Sequence, residues 1–151
     1  MRRTVTLLLA ACLLLGLTAC GGKKEMDGQT LADDLLANAD FTDSLSRLDD
    51  QVVPALYGLD AGDYTDCVVY CGTAATAEEI AIFQAVDEAA AGRILTAAEA
   101  RVASRIETYK DYGPAEAMKL EDAVVRQSGL YVVVVVCSDA AGAEKIVDQY
   151  I

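Results

Sequence analysis

Leu130-Tyr131-Val132-Val133-Val134-Val135-Val136-Cys137 is the stretch that decides the fold. Five consecutive valines show no polar alternation, so the segment is expected to be a strand buried on both faces and central in its sheet. A bilayer span needs about 20 apolar residues, and this run is far too short and has turn signals on both sides. On its N-terminal side Ser128-Gly129 predicts a tight turn, preceded by a strand containing Asp122-Ala123-Val124-Val125-Arg126. On its C-terminal side Asp139 is placed to cap a helix.

The same plan stands earlier in the chain. Asp66 to Gly72 and Glu79 to Val86 read as strands, the second alternating Ile80, Ile82 and Gln84 against Ala81, Phe83 and Ala85. Asp87 then caps a long helix that ends near Tyr112, because Gly113-Pro114 cannot continue it. Setting Asp87 over Asp139 places Arg93 over Lys145 and Ile94 over Ile146. Duplication of one ββα unit and a chance likeness of two supersecondary pieces both account for this match. Upstream, Leu31, Leu35 and Leu36 recur at helical spacing, as do Val52, Val53, Leu56 and Tyr57 before Gly58. The expected architecture is α+β: two ββα units form a four-stranded, mainly antiparallel sheet with helices on one face, preceded by two short helices. The lead helices, or a second subunit, would cover the other face.

The N-terminus carries a different signal. Arg2 and Arg3 precede an apolar run from Val5 to Leu17, the pattern of a secretory signal peptide. Leu17-Thr18-Ala19-Cys20 resembles the bacterial lipobox, which implies diacylglycerol on the Cys20 thiol and cleavage just before it. The expected organisation is therefore a signal peptide over 1–19, a flexible tether over 20–28 and one α+β domain over 29–151. Loss of Arg2 and Arg3 leaves 10 basic against 24 acidic residues, a formal charge of −14. Clustered Lys and Arg are what nucleic acid requires, so it is not an expected partner. Lys23 and Lys24 would lie beside lipid head groups, which attract each basic residue by roughly 1 kcal/mol.

Several chemistries are excluded by residue type. The sequence has no His, so Ser-His-Asp and Cys-His nucleophile systems and zinc-protease helices cannot be built from it. No glycine-rich loop leads into a helix with a phosphate-binding Lys. After Cys20 is acylated, Cys67, Cys71 and Cys137 remain. Four residues apart in one strand, Cys67 and Cys71 are ~13 Å apart, beyond disulfide reach, and the spacing does not suit zinc. These thiols read as small apolar core residues. Asp60-Ala61-Gly62-Asp63-Tyr64-Thr65-Asp66 lacks the ligand spacing of an EF-hand and reads as an acidic turn leading into a strand.

Leu56-Tyr57-Gly58-Leu59, Val68-Val69-Tyr70, the Glu79 to Phe83 strand with its Asp87 helix, and the valine strand with Ser138-Asp139 together resemble a known family. They are similar to small lipoproteins of Gram-positive bacteria catalogued as domain of unknown function 4358. The resemblance runs from about residue 30 to the end and implies no catalytic residue.

The expected function is thus a lipid-anchored extracytoplasmic binding or assembly module at the cell membrane, without catalysis, cofactor or metal. Its partners would be the membrane, through Cys20, and a cell-surface protein. The alternatives are a small-ligand-capturing accessory lipoprotein of a transporter and a carboxylate-based hydrolase. Tyr57, Asp60, Asp63 and Tyr64 combine negative charge, turn chemistry and two aromatic rings, and are the expected partner surface.

Overall fold

The computed structural model describes residues 25–151. The expected signal peptide, the lipidation residue Cys20 and the tether up to residue 24 lie outside the described residues. Within the rest of that tether Met26 is already buried, and Asp27 caps the first helix by accepting a hydrogen bond from the Gln29 N–H at 3.2 Å.

The elements in chain order are α1 (Gly28–Asn38), β1 (Ser46–Arg47), α2 (Val53–Tyr57), a short 3-10 turn (Ala61–Asp63), β2 (Tyr64–Cys71) and β3 (Glu79–Ala85). There follow α3 (Glu88–Tyr109), α4 (Pro114–Glu121), β4 (Val124–Ser128), β5 (Tyr131–Val136) and α5 (Ala140–Val147). The sheet has five strands in the order β1-β2-β3-β5-β4, and every neighbouring pair is antiparallel. The α+β class is as expected, but the strand number is five. The extra strand, β1, is two residues long and pairs Ser46 and Arg47 with Cys71 and Tyr70. So short a segment has no periodicity to read. β5 is buried along its valines, as its sequence requires, and sits one place from β3, the middle strand.

The helices do not share one face. Ala81, Phe83, Val132, Val134 and Val136 point into a layer with Ala90, Ala91, Ile94 and Ala98 of α3, Val53 and Tyr57 of α2, and Ala117 and Leu120 of α4. Ile80, Ile82, Val133, Val135 and Cys137 point the other way, onto Leu31, Ala32 and Leu35 of α1 and Ala143 and Val147 of α5. The helices after Asp87 and Asp139 therefore cover opposite faces, and the two lead helices are likewise divided between them. Side chains alternate along a strand, so one residue of register decides the face. Ala85, two residues before Asp87, faces the α3 layer, whereas Cys137, two residues before Asp139, faces the α5 layer.

That difference bears on the repeat. A half-turn about the sheet normal exchanges β2 with β4 and β3 with β5 but leaves faces unchanged. It would have put α3 and α5 together. The strands of the two ββα units are thus related by that half-turn, and their helices are not.

Local chemistry explains the remaining boundaries. Gly113-Pro114 ends α3 and then, with Pro114 at the first helical position, opens α4, a helix that the sequence reading did not separate. Gly129, with φ 56°, makes the turn between β4 and β5. α1 lies close on the sheet: a Cβ on Gly28 would stand 3.3 Å from Ile82 Cγ2 and 3.6 Å from Val68 Cγ2. No described helix is long and apolar enough to cross a membrane.

Candidate functional site

The segment Tyr57 to Tyr64 wraps the end of the sheet beside α3. Gly58, with φ 67°, closes α2 in the left-handed conformation that glycine tolerates without strain. Asp60 opens the 3-10 turn by accepting from the Gly62 N–H at 2.8 Å, and remains exposed. Asp63 is buried. Its Oδ1 accepts from Arg93 Nε at 3.1 Å and Nη2 at 2.5 Å, and these bonds hold its carboxyl below the ordinary value despite desolvation. Tyr57 and Tyr64 both set an edge against Phe83, at centroid distances of 5.1 and 5.6 Å. Tyr57 is buried and Tyr64 half-buried. Of the four residues expected on a partner surface, the structure groups three as packing or pairing residues around Phe83 and α3, and leaves Asp60 in solvent.

Beneath Tyr57 lies a cluster that the sequence reading missed. Glu79 is 1% exposed. Arg101 donates to both of its oxygens, Nε to Oε1 at 3.0 Å and Nη2 to Oε2 at 2.8 Å, and Arg105 Nη1 adds a third bond at 2.6 Å. The Tyr57 hydroxyl donates to Glu79 Oε1. The same guanidinium groups lie over aromatic rings, Arg101 over Tyr57 at 5.0 Å and Arg105 over Tyr109 at 5.8 Å. A signal was present: Arg101 and Arg105 are i and i+4 on one helix face, and Glu79 stands in phase with the inward Ala81 and Phe83. Above the cluster is an open depression of about 290 Å³ between α2 and α3, edged by Leu56, Gly58, Ala97, Ala100 and Ser104.

The neighbouring Glu78 is fully buried on the way into β3. It accepts from the N–H groups of Thr42 (2.9 and 3.0 Å) and Asp43 (2.8 Å), from Thr42 Oγ1 (2.8 Å) and from Lys119 Nζ (2.8 Å). Burial by itself would raise this carboxyl, but Lys119 and the backbone donors outweigh it and hold it below the ordinary value. Asp43 in turn accepts from Thr73 N–H, Thr73 Oγ1 and Thr76 Oγ1 at 2.7, 2.7 and 2.8 Å. Together these carboxylates fasten the loop after α1 to the β2–β3 hairpin and to α4.

A general acid or base needs a titrating group near neutral pH with a free position towards substrate. Glu78 and Glu79 instead have their oxygens engaged by fixed donors. Burial, with Asp50 and Asp66 nearby, pushes the Cys67 thiol up to about 11. Burial, together with Glu79, pushes Cys71 up to about 12. Neither is a thiolate at neutral pH, so neither is an activated nucleophile. Among the described residues no three His, Cys, Asp or Glu side chains converge in a way that could hold a metal ion.

No curated protein and no solved structure matches this chain. A family model described as Domain of unknown function (DUF4358) matches residues 37–137, which takes in the sheet, α2, α3 and α4 with both buried glutamates. The chain therefore belongs to the DUF4358 family.

Proposed function

We propose that this protein is a lipid-anchored extracytoplasmic binding module, held to the membrane through Cys20, that engages a cell-surface partner without catalysing a reaction. The observation that carries the non-catalytic part is the saturation of Glu78 and Glu79: the two fully buried carboxylates are spent on holding the fold. The anchor rests on Leu17-Thr18-Ala19-Cys20 after an apolar run. An export signal of that kind places the domain outside the cytoplasm and close to lipid.

The partner surface is the exposed acidic rim around the 57–64 segment. Asp49, Asp50 and Asp60 are exposed there, and among them only Asp50 has a cationic partner, Arg47 Nη2 at 3.4 Å; Asp66 is exposed on the opposite face, beside Gly28. Tyr57 and Asp63 shape this rim from beneath, and Tyr64 contributes its half-exposed ring. A basic partner is favoured, with attraction that weakens as salt rises, since exposed charges are screened beyond roughly 8 Å at physiological ionic strength. A photo-crosslinking side chain placed at Asp60 on intact cells should give a discrete adduct that diminishes when Asp49 and Asp50 are changed to Lys. Undiminished cross-linking in that charge-reversed chain would remove the rim from the account.

A further inference from the structure

The two edges of the sheet are finished differently. At one edge β1 pairs over only two residues and, after Leu48, gives way to Asp49 and Asp50, a short and charged border of the kind that resists further pairing. At the other edge β4 runs for five residues in unbroken register with β5, from Val124–Val135 to Ser128–Tyr131. It carries no proline and no bulge.

The phase of its hydrogen bonds follows from the turn. A two-residue loop, Gly129-Leu130, closes on a hydrogen-bonded Ser128–Tyr131 pair. The Ala85 N–H to Leu130 C=O bond at 2.8 Å fixes the opposite phase for the β3 side of β5. Antiparallel pairs alternate between bonded and non-bonded. Ser128, Arg126 and Val124 therefore bond to β5, and Val125 and Gln127 turn their N–H and C=O groups outward.

Beside this open edge, on the α5 face, is a groove of about 530 Å³ lined by residues 122–126 and by Ser138 to Ala141 with Glu144. Three of its walls are carboxylates, Asp122, Asp139 and Glu144, against the single guanidinium of Arg126. That guanidinium is already committed, to Glu144 at 2.5 Å and to Asp148 at 3.2 Å. Asp139 uses only Oδ1, on the Gly142 N–H that starts α5. The groove therefore offers unspent negative charge next to unspent main-chain donors and acceptors. A second copy of the chain would bring an identical acidic wall and a net charge of −12 to this edge, which opposes self-pairing. A basic segment meets no such opposition.

We propose that the free edge of β4 takes an extended, lysine- or arginine-bearing polypeptide segment as a sixth strand. The Val125 and Gln127 main-chain groups bind its backbone, and Asp122 and Asp139, the two groove carboxylates that Arg126 does not hold, receive alternate side chains from one of its faces. This deepens the reading of the chain as a binding module but does not need the anchor. It lies at the sheet edge opposite the Asp60 rim. Cross-linking from Asp60 tests that rim, and amide protection at Val125 and Gln127 tests this edge.

The experiment uses the full-length chain in detergent micelles and a soluble peptide of alternating valine and lysine. On addition of peptide, hydrogen exchange at the Val125 and Gln127 amides should slow about tenfold, as expected when an open donor becomes paired. The same peptide with alternate backbone nitrogens methylated should give no protection. Gln127→Pro removes one outward donor at an exposed edge position where proline is tolerated, and should weaken binding with the β4–β5 pairing retained. Asp122→Lys should weaken it without touching the main chain. The proposal is overturned if the peptide fails to bind, or if it binds with both amides unprotected. Protection that appears with rising protein concentration and no peptide would overturn it as well, since the occupant would then be a second copy.

Discussion

Glu79 is a buried carboxylate that joins β3 to two arginines of α3 and to Tyr57 of α2. It sits 22 residues from Arg101 and 26 from Arg105 in sequence, yet accepts from both. Removing one side of a buried ion pair leaves uncompensated charge, which typically costs about 3–5 kcal/mol. Glu79→Ala should lower unfolding free energy by about that amount in urea titration, whereas Arg105→Met, which leaves the bidentate Arg101 pair intact, should cost less. Equal losses would mean that the cluster is not organised around Glu79. Asp43 gives a pH-dependent counterpart. Its carboxyl falls from the ordinary 3.8 to about 2, chiefly through the Thr73 hydroxyl and then the Thr73 and Thr76 donors. Because the folded value is the lower one, this contribution is complete above the unfolded value and is lost as pH falls from about 4 towards about 2. Asp43→Asn should thus narrow its stability gap from the parent chain over that interval, as measured by urea unfolding at several pH values. At this scale the sequence was only partly legible. Glu79 and the Arg101/Arg105 pair could each be placed on an inward face, but their meeting depends on how α3 crosses β3, which no local pattern encodes. Tyr57 was noticed for its aromatic ring, and that ring is used inside the fold.

Elements with strong periodicity were legible. The valine strand, the alternation in β3 and the caps at Asp87 and Asp139 all appear as their sequences require. What escaped was decided between elements. β1 exists because Ser46 and Arg47 meet β2, and the face taken by each helix depends on one residue of strand register. Valine in β5 packs both ways, Val132, Val134 and Val136 towards α3 and Val133 and Val135 towards α1 and α5. Val134 is 2% exposed and paired with Ala81 and Val125 across the sheet. Val134→Asp would bury a second carboxylate in the void that Val134 shares with Glu79, Arg101 and Arg105, where both arginines already serve Glu79, a cost of several kcal/mol against a total stability of about 5–15 kcal/mol. Loss of the cooperative thermal transition is the expected outcome. An unchanged melting temperature would contradict a sheet covered on both faces.

For the whole molecule the consistent theme is an acidic domain whose first helix, capped by Asp27, packs into the sheet only eight residues after the proposed anchor at Cys20. Two acyl chains are what make lipid anchoring stable, and the acidic body would be repelled by an anionic membrane, so the proposed attachment rests on Cys20 alone. Cys20→Ser should abolish fatty-acid labelling and leave the chain either uncleaved or released; a cleaved chain that stays on the membrane would count against the anchor. The most direct measurement is the mass of the mature N-terminal peptide purified from membranes. The account predicts a chain that begins at Cys20 with diacylglycerol on its thiol. A mature chain that begins at another residue, or that carries an unmodified Cys20, would contradict it.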